Sequence, residues 1–160
     1  MKKTLTLLFS GLILLSCTKD PCLDVTCYNG GQCDDGTCMC TDWYEGTSCE
    51  TEQRSKYFGT YTGSALFTYP DNTTETQTIQ VAIDTHADGV QYLSGDGTFK
   101  FELTQNGAGS FNTPLQLIND PTVGNVYVQG SGSFQGSQMM WNFQMELAGS
   151  VVTVSFSGTK

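Results

Sequence analysis

Met139-Met140-Trp141-Asn142-Phe143-Gln144-Met145-Glu146-Leu147-Ala148 places Met139, Trp141, Phe143, Met145 and Leu147 on one side of an extended chain and their polar or small neighbours on the other. Successive side chains of a strand point to opposite faces, so this alternation describes an antiparallel strand with one face buried and one in water. The same period of two returns at Ile79, Val81 and Ile83 against Gln80, Ala82 and Asp84, and at Phe99, Phe101 and Leu103 against Lys100, Glu102 and Thr104. Turn residues separate these runs at Asp71-Asn72, Ala87-Asp88-Gly89, Ser94-Gly95-Asp96-Gly97, Asn106-Gly107, Asn119-Asp120-Pro121, Gln135-Gly136-Ser137 and Ala148-Gly149-Ser150. Residues 57–160 therefore predict an all-β antiparallel meander of about eight strands, closed as a small barrel or flattened as a sandwich. With Phe99, Phe101, Trp141, Phe143, Met145, Val152, Val154 and Phe156 pointing inward, the interior is expected to be packed rather than hollow.

Ahead of this region the chain changes character. Six of the seven cysteines fall in Cys22-x4-Cys27-x5-Cys33-x4-Cys38-x-Cys40-x8-Cys49. So small a segment, with few apolar residues, cannot build a stable core and needs covalent staples. Asp35-Gly36 supplies a two-residue turn that accepts positive φ and lets the flanking residues pair as a short hairpin. Six cysteines allow fifteen pairings, and their spacing alone does not choose among them. Zinc is disfavoured because Cys38 and Cys40 are too close for paired ligands and the segment has no histidine. Residues 51–56, Thr-Glu-Gln-Arg-Ser-Lys, are polar and charged and predict a linker.

The cysteine spacing, with Asn29-Gly30-Gly31-Gln32-Cys33 before the hairpin and Tyr44-Glu45-Gly46-Thr47-Ser48-Cys49 at the end, resembles an EGF-like domain over residues 22–50. The resemblance implies Cys22 paired with Cys33, Cys27 with Cys38 and Cys40 with Cys49. Calcium-binding members carry acidic and amide side chains just before the first cysteine. Here Thr18-Lys19-Asp20-Pro21 offers one carboxylate, so no metal is expected. Trp43 and Tyr44 are expected to cover the disulfides. Gly59-Thr60-Tyr61 opening the first strand of the β-region and Gly158-Thr159-Lys160 ending the last resemble lipocalin-like barrels, in which a late basic residue covers an aromatic of the first strand. In this chain that implies Lys160 over Tyr61, a tyrosine where the family usually has tryptophan.

Lys2 and Lys3 followed by an apolar run from Leu5 to Leu15 have the form of a secretory signal, too short to span a bilayer as a helix. The cassette Leu14-Leu15-Ser16-Cys17 resembles the lipobox of bacterial lipoproteins. It implies a signal peptide over 1–16, a lipidated tether over 17–21, and acylation of Cys17 with chains such as palmitate, which replace a transmembrane helix as anchor. Without residues 1–16 the chain keeps five basic against sixteen acidic side chains, a net charge of −11. That excess excludes nucleic acid and anionic lipid surfaces as electrostatic partners.

No catalytic residue is predicted. His86 is the only histidine and lies at a strand end, no G-x-S-x-G elbow occurs, and Asp84 and Asp88 are expected in a solvated turn rather than as an acid–base pair. Asn72-Thr73-Thr74 matches a glycosylation sequon, which in this context is an ordinary turn. The whole chain resembles small EGF-bearing lipoproteins of the Bacteroidetes kind. That resemblance implies an outer-membrane location and partnership with the membrane through Cys17. The expectation is a non-catalytic binding or adhesion module for a protein or glycan, without cofactor, metal or nucleic acid; the alternative is a lipocalin-like carrier of a small apolar ligand.

Overall fold

The computed structural model describes residues 19–104 and 109–160. The segment expected as a signal peptide, Cys17 and the turn expected at Asn106-Gly107 lie outside the described residues. Strands β1 (Gln32–Asp34) and β2 (Thr37–Met39) form a hairpin around Asp35 and Gly36, at φ 45° and 81°. Disulfides join Cys22 to Cys33, Cys27 to Cys38 and Cys40 to Cys49, the same three pairs that the EGF resemblance implies. Each closes a short loop and removes freedom from the unfolded chain worth about 3 kcal/mol on the chain-entropy estimate.

Residues 51–56, expected as a linker, are folded. Strand β4 (Thr51–Glu52) pairs with β3 (Tyr44–Glu45), and a 3-10 helix, Gln53–Tyr57, follows directly. The cause is Arg54, whose charge suggests solvent but whose side chain is buried. Its Nε donates to Glu52 Oε2 at 2.7 Å, and Nη1 donates to the carbonyls of His86, Gly89 and Tyr92 at 3.2, 2.8 and 2.7 Å. A planar guanidinium thus gathers the carbonyls of His86 and Gly89 in a loop and of Tyr92, the first residue of the strand that follows it. Trp43, expected over the disulfides, packs against the hydrophobic core of the β-region.

The β-region is a closed barrel of eight antiparallel strands: β5 (Gly59–Thr68), β6 (Thr74–Thr85), β7 (Tyr92–Gly95), β8 (Phe99–Leu103), β9 (Ser110–Asp120), β10 (Gly124–Gln135), β11 (Gln138–Leu147) and β12 (Ser150–Thr159). Each pairs with its neighbour in sequence, and β12 returns to β5 to close the ring. Within β11, Met139, Trp141 and Phe143 are buried while Asn142, Gln144 and Glu146 are exposed, as the alternation predicts. Asp96-Gly97 and Ala148-Gly149 take positive φ at both positions and join β7–β8 and β11–β12 as tight hairpins.

The two ends of the barrel differ because their inward residues differ. At one end, rings form an unbroken series from Tyr57 through Phe134, Phe111, Phe101 and Trp141 to Phe143, with successive centroids 3.9–5.0 Å apart. Such rings need small residues opposite: a Cβ on Gly132 would come within 2.3 Å of the Phe111 ring, and one on Gly95 within 2.6 Å of Phe101. Lys160 seals this end. Its Nζ donates to the carbonyls of Lys56 and Phe58, both at 2.8 Å, and lies 5.4 Å from the centre of the Tyr61 ring. The Tyr61 hydroxyl, which donates to the Tyr57 carbonyl at 3.0 Å, is pushed up to about 12 by burial first and by Tyr57 second. A folded-state value above the ordinary 10 means that the protonated phenol favours the fold below that pH. Stability is therefore expected to decline from about pH 10 to pH 12, less steeply in Tyr61→Phe, when urea midpoints are compared across that interval.

At the other end the inward residues are mainly aliphatic, with Phe67 and Phe99 among them, and they leave a cavity between them. The hairpin β7–β8 also stops short: β6 pairs with β7 only through Ile83–Thr85, and β8 pairs with β9 only through Glu102 and Leu103. Below those pairs the Gln116 side chain stands in for a strand. Its Oε1 accepts from Lys100 N at 2.8 Å and its Nε2 donates to Lys100 O at 3.0 Å, as a backbone peptide would. A bulge between Thr113 and Gln116, where Pro114 sits, brings Gln116 into that position. The first half of β6 and the last residues of β9 run past the hairpin with no strand between them among the described residues. The wall is open there.

Candidate functional site

The open end holds a cavity of about 560 Å³. Its wall is Phe67 of β5, Ile118 of β9, Val126 and Val128 of β10, Met145 of β11 and Val152 of β12, all placed inward by strand alternation. The floor is Phe99, held edge-on to Trp141 with centroids 5.2 Å apart and the planes at 74°. An eight-stranded barrel encloses space for side chains or for one small ligand. Here it holds side chains at one end and leaves space at the other, so the expectation of a packed interior holds for about half of the barrel. Phe99, Met145 and Val152 are only half-buried for that reason.

The rim is polar and acidic. The Tyr69 hydroxyl donates to Glu75 Oε2 at 3.0 Å, and Gln77 Nε2 donates to Glu75 Oε1 at 2.8 Å. Those two donors, Gln77 first, hold the Glu75 carboxyl below its usual range, and the same carboxylate raises Tyr69. Across the mouth, Asp120 Oδ1 accepts from the backbone N–H groups of Thr122 and Val123 at 2.7 and 3.0 Å, which lowers its pKa. Both carboxylates are charged at neutral pH. Tyr69, Gln77 and Asp120 line the cavity together with the aliphatic wall. Nothing in the local sequence of Tyr69, Glu75 or Asp120 marks them as a group; Tyr69 and Asp120 come to line one cavity only once the barrel closes.

A second concavity lies on the outside of β9–β12, where the Pro114 bulge and Gly130 lower the surface between Gln129, Asn142, Gln144 and Ser155. It is shallow and open, and its lining is mainly amide and hydroxyl.

His86 Nδ1 lies 3.8 Å from Asp88 Oδ1, and the side chains of Asp84 and Asp88 have different partners. Asp84 Oδ1 accepts from Thr85 N, Asp88 pairs with Lys100, and His86 Nδ1 accepts the Asp88 N–H at 3.2 Å. Lys100 in turn stands 4.0 Å over the Tyr92 ring, and its ammonium lowers the pKa of Asp88. This cluster closes the loop that Arg54 holds from the other side. No protein family, curated protein or solved structure matches this chain.

Proposed function

We propose that this protein is a lipid-anchored binding protein of the cell envelope that carries a small, largely apolar ligand in the open end of its barrel. The observation that supports this reading is the cavity of about 560 Å³, within the range of small-molecule sites, walled by aliphatic side chains and rimmed by a few polar groups. A site of this kind gains its affinity from apolar area removed from water, roughly 25 cal/mol per Å², and its orientation from the rim. The window between β6 and β9 gives a ligand lateral access. The acidic surface and the disulfides suit an exported protein.

The experiment is titration of the full chain with an apolar fluorescent dye such as N-phenyl-1-naphthylamine. One dye is expected per protein, and Leu147→Trp, which puts an indole into the mouth, is expected to weaken binding by about tenfold or more with little change in the urea midpoint. Unaltered binding in Leu147→Trp would place the dye elsewhere. For the anchor, Cys17→Ser is expected to move the protein from the membrane fraction to the soluble fraction; a variant that still sediments with membranes would overturn the lipoprotein reading.

Adhesion to a protein or glycan is the second reading, and it rests on the amide-lined groove outside β9–β12. Binding to a glycan surface that is lost in Asn142→Ala and kept in Leu147→Trp would favour it.

A further inference from the structure

We propose that the cavity selects an amphiphile with a cationic head, an alkylammonium or amidinium group on an apolar body, and rejects fatty acids and other anionic lipids. This rests on the reading of the cavity as a ligand site and adds the chemical class of the ligand. The apolar wall alone would take any small apolar body, so the charge at the mouth decides the head group. Asp120 lines the cavity from the end of β9, Glu75 of β6 is bonded to Tyr69 and Gln77, which also line it, and Asp71 lies in the β5–β6 turn, with its Oδ1 accepting from Thr73 N at 3.0 Å and from Thr73 Oγ1 at 2.6 Å.

No base offsets them. Among the described residues there are five basic side chains, and each lies elsewhere. Lys19 is beside Asp24 in the disulfide module, Arg54 is buried under the 86–92 loop, Lys56 faces Glu45, Lys160 caps the Tyr61 end, and Lys100 is held by Asp88. A carboxylate head entering this mouth would meet two fixed like charges at the edge of a low-dielectric cavity with no counter-ion, whereas an ammonium would be attracted by both. Each carboxylate also has acceptor capacity left: an ionised carboxylate offers about four lone-pair sites, and Glu75 receives two hydrogen bonds while Asp120 receives two backbone N–H groups and the Thr122 hydroxyl. A cationic donor of several N–H groups fits those remaining lone pairs.

The test uses the full chain and three probes of equal chain length: decylamine, decanol and decanoate, each displacing N-phenyl-1-naphthylamine at neutral pH. Decylamine is expected to bind about tenfold more tightly than decanol and decanoate more weakly than either, and the amine's advantage is expected to shrink as salt is added. In Glu75→Gln/Asp120→Asn, which keeps one acceptor oxygen on each side chain and removes the charge, the ratio of decylamine to decanol affinity is expected to fall by about tenfold. Equal affinities for the three probes, tighter decanoate binding, or an unchanged ratio in the double variant would overturn the cationic selectivity while leaving the cavity as a ligand site. Failure of all three probes to displace the dye would remove the ligand site itself, and this inference with it.

Discussion

Trp141→Ala is expected to lower the unfolding free energy by about 4–5 kcal/mol, a large part of the ~5–15 kcal/mol that holds a domain of this size together. Three rings lose their partner at once: Phe143 stacks on the indole at 3.9 Å, and Phe99 and Phe101 meet its edge at 5.2 and 4.9 Å. The ring also carries the hydrogen bond from Nε1 to Thr113 Oγ1, 2.9 Å long and fully buried. Trp141→Phe separates the two effects, since it keeps an aromatic body and removes the donor. Thr113→Val removes the acceptor and leaves a buried indole N–H without a partner, at about 1–3 kcal/mol. The double variant Trp141→Phe/Thr113→Val is expected to be about 1 kcal/mol more stable than the sum of the single losses, because no orphaned group remains. Urea unfolding of the four proteins measures this coupling; strict additivity would show that the bond contributes nothing, and a loss under 1 kcal/mol in Trp141→Ala would show that the ring series does not carry the core.

Arg54→Ala is expected to cost about 3 kcal/mol in the same measurement. The change leaves the carbonyls of His86, Gly89 and Tyr92 without the donor that reaches all three, and it leaves Glu52 without its cation. Arg54→Lys is expected to recover only part of the loss, because a point-like ammonium does not reproduce the fork. Amide hydrogen exchange in residues 86–92 should quicken in Arg54→Ala and stay unchanged in the disulfide module. A fragment that begins at residue 57 should lose about as much stability as Arg54→Ala does, relative to one that begins at residue 51. If the two fragments unfold at the same urea concentration, residues 51–56 are a linker after all.

These two sites sit at opposite extremes of legibility. Trp141 lies in the clearest alternation of the chain, and its buried face follows from the period of two without any tertiary information. Arg54 gives no such signal. A basic residue in a polar stretch is exposed far more often than buried, and the carbonyls that hold it come from more than thirty positions downstream. Gln116 is a similar case: an amide in a strand carries no mark that it will replace the missing neighbour of Lys100. The mouth acids Glu75 and Asp120 are legible as turn-flanking residues and illegible as a pair.

The sequence by itself determined the strand faces and the turns between them, because these depend on local periodicity and turn chemistry; the pairing of the staples in residues 22–49 and the placement of Lys160 over Tyr61 were legible only as what the resemblances to EGF-like domains and lipocalin-like barrels imply. Tertiary structure alone decided that the sheet closes as a barrel, that the disulfide module is joined to it through Arg54, and that one end of the barrel holds a cavity. The volume left between facing walls depends on which side chains oppose one another once β12 pairs with β5: rings against glycines fill one end, and valine, isoleucine and methionine facing each other leave the other open. Alternation along one strand says which residues point inward and nothing about whether they reach each other.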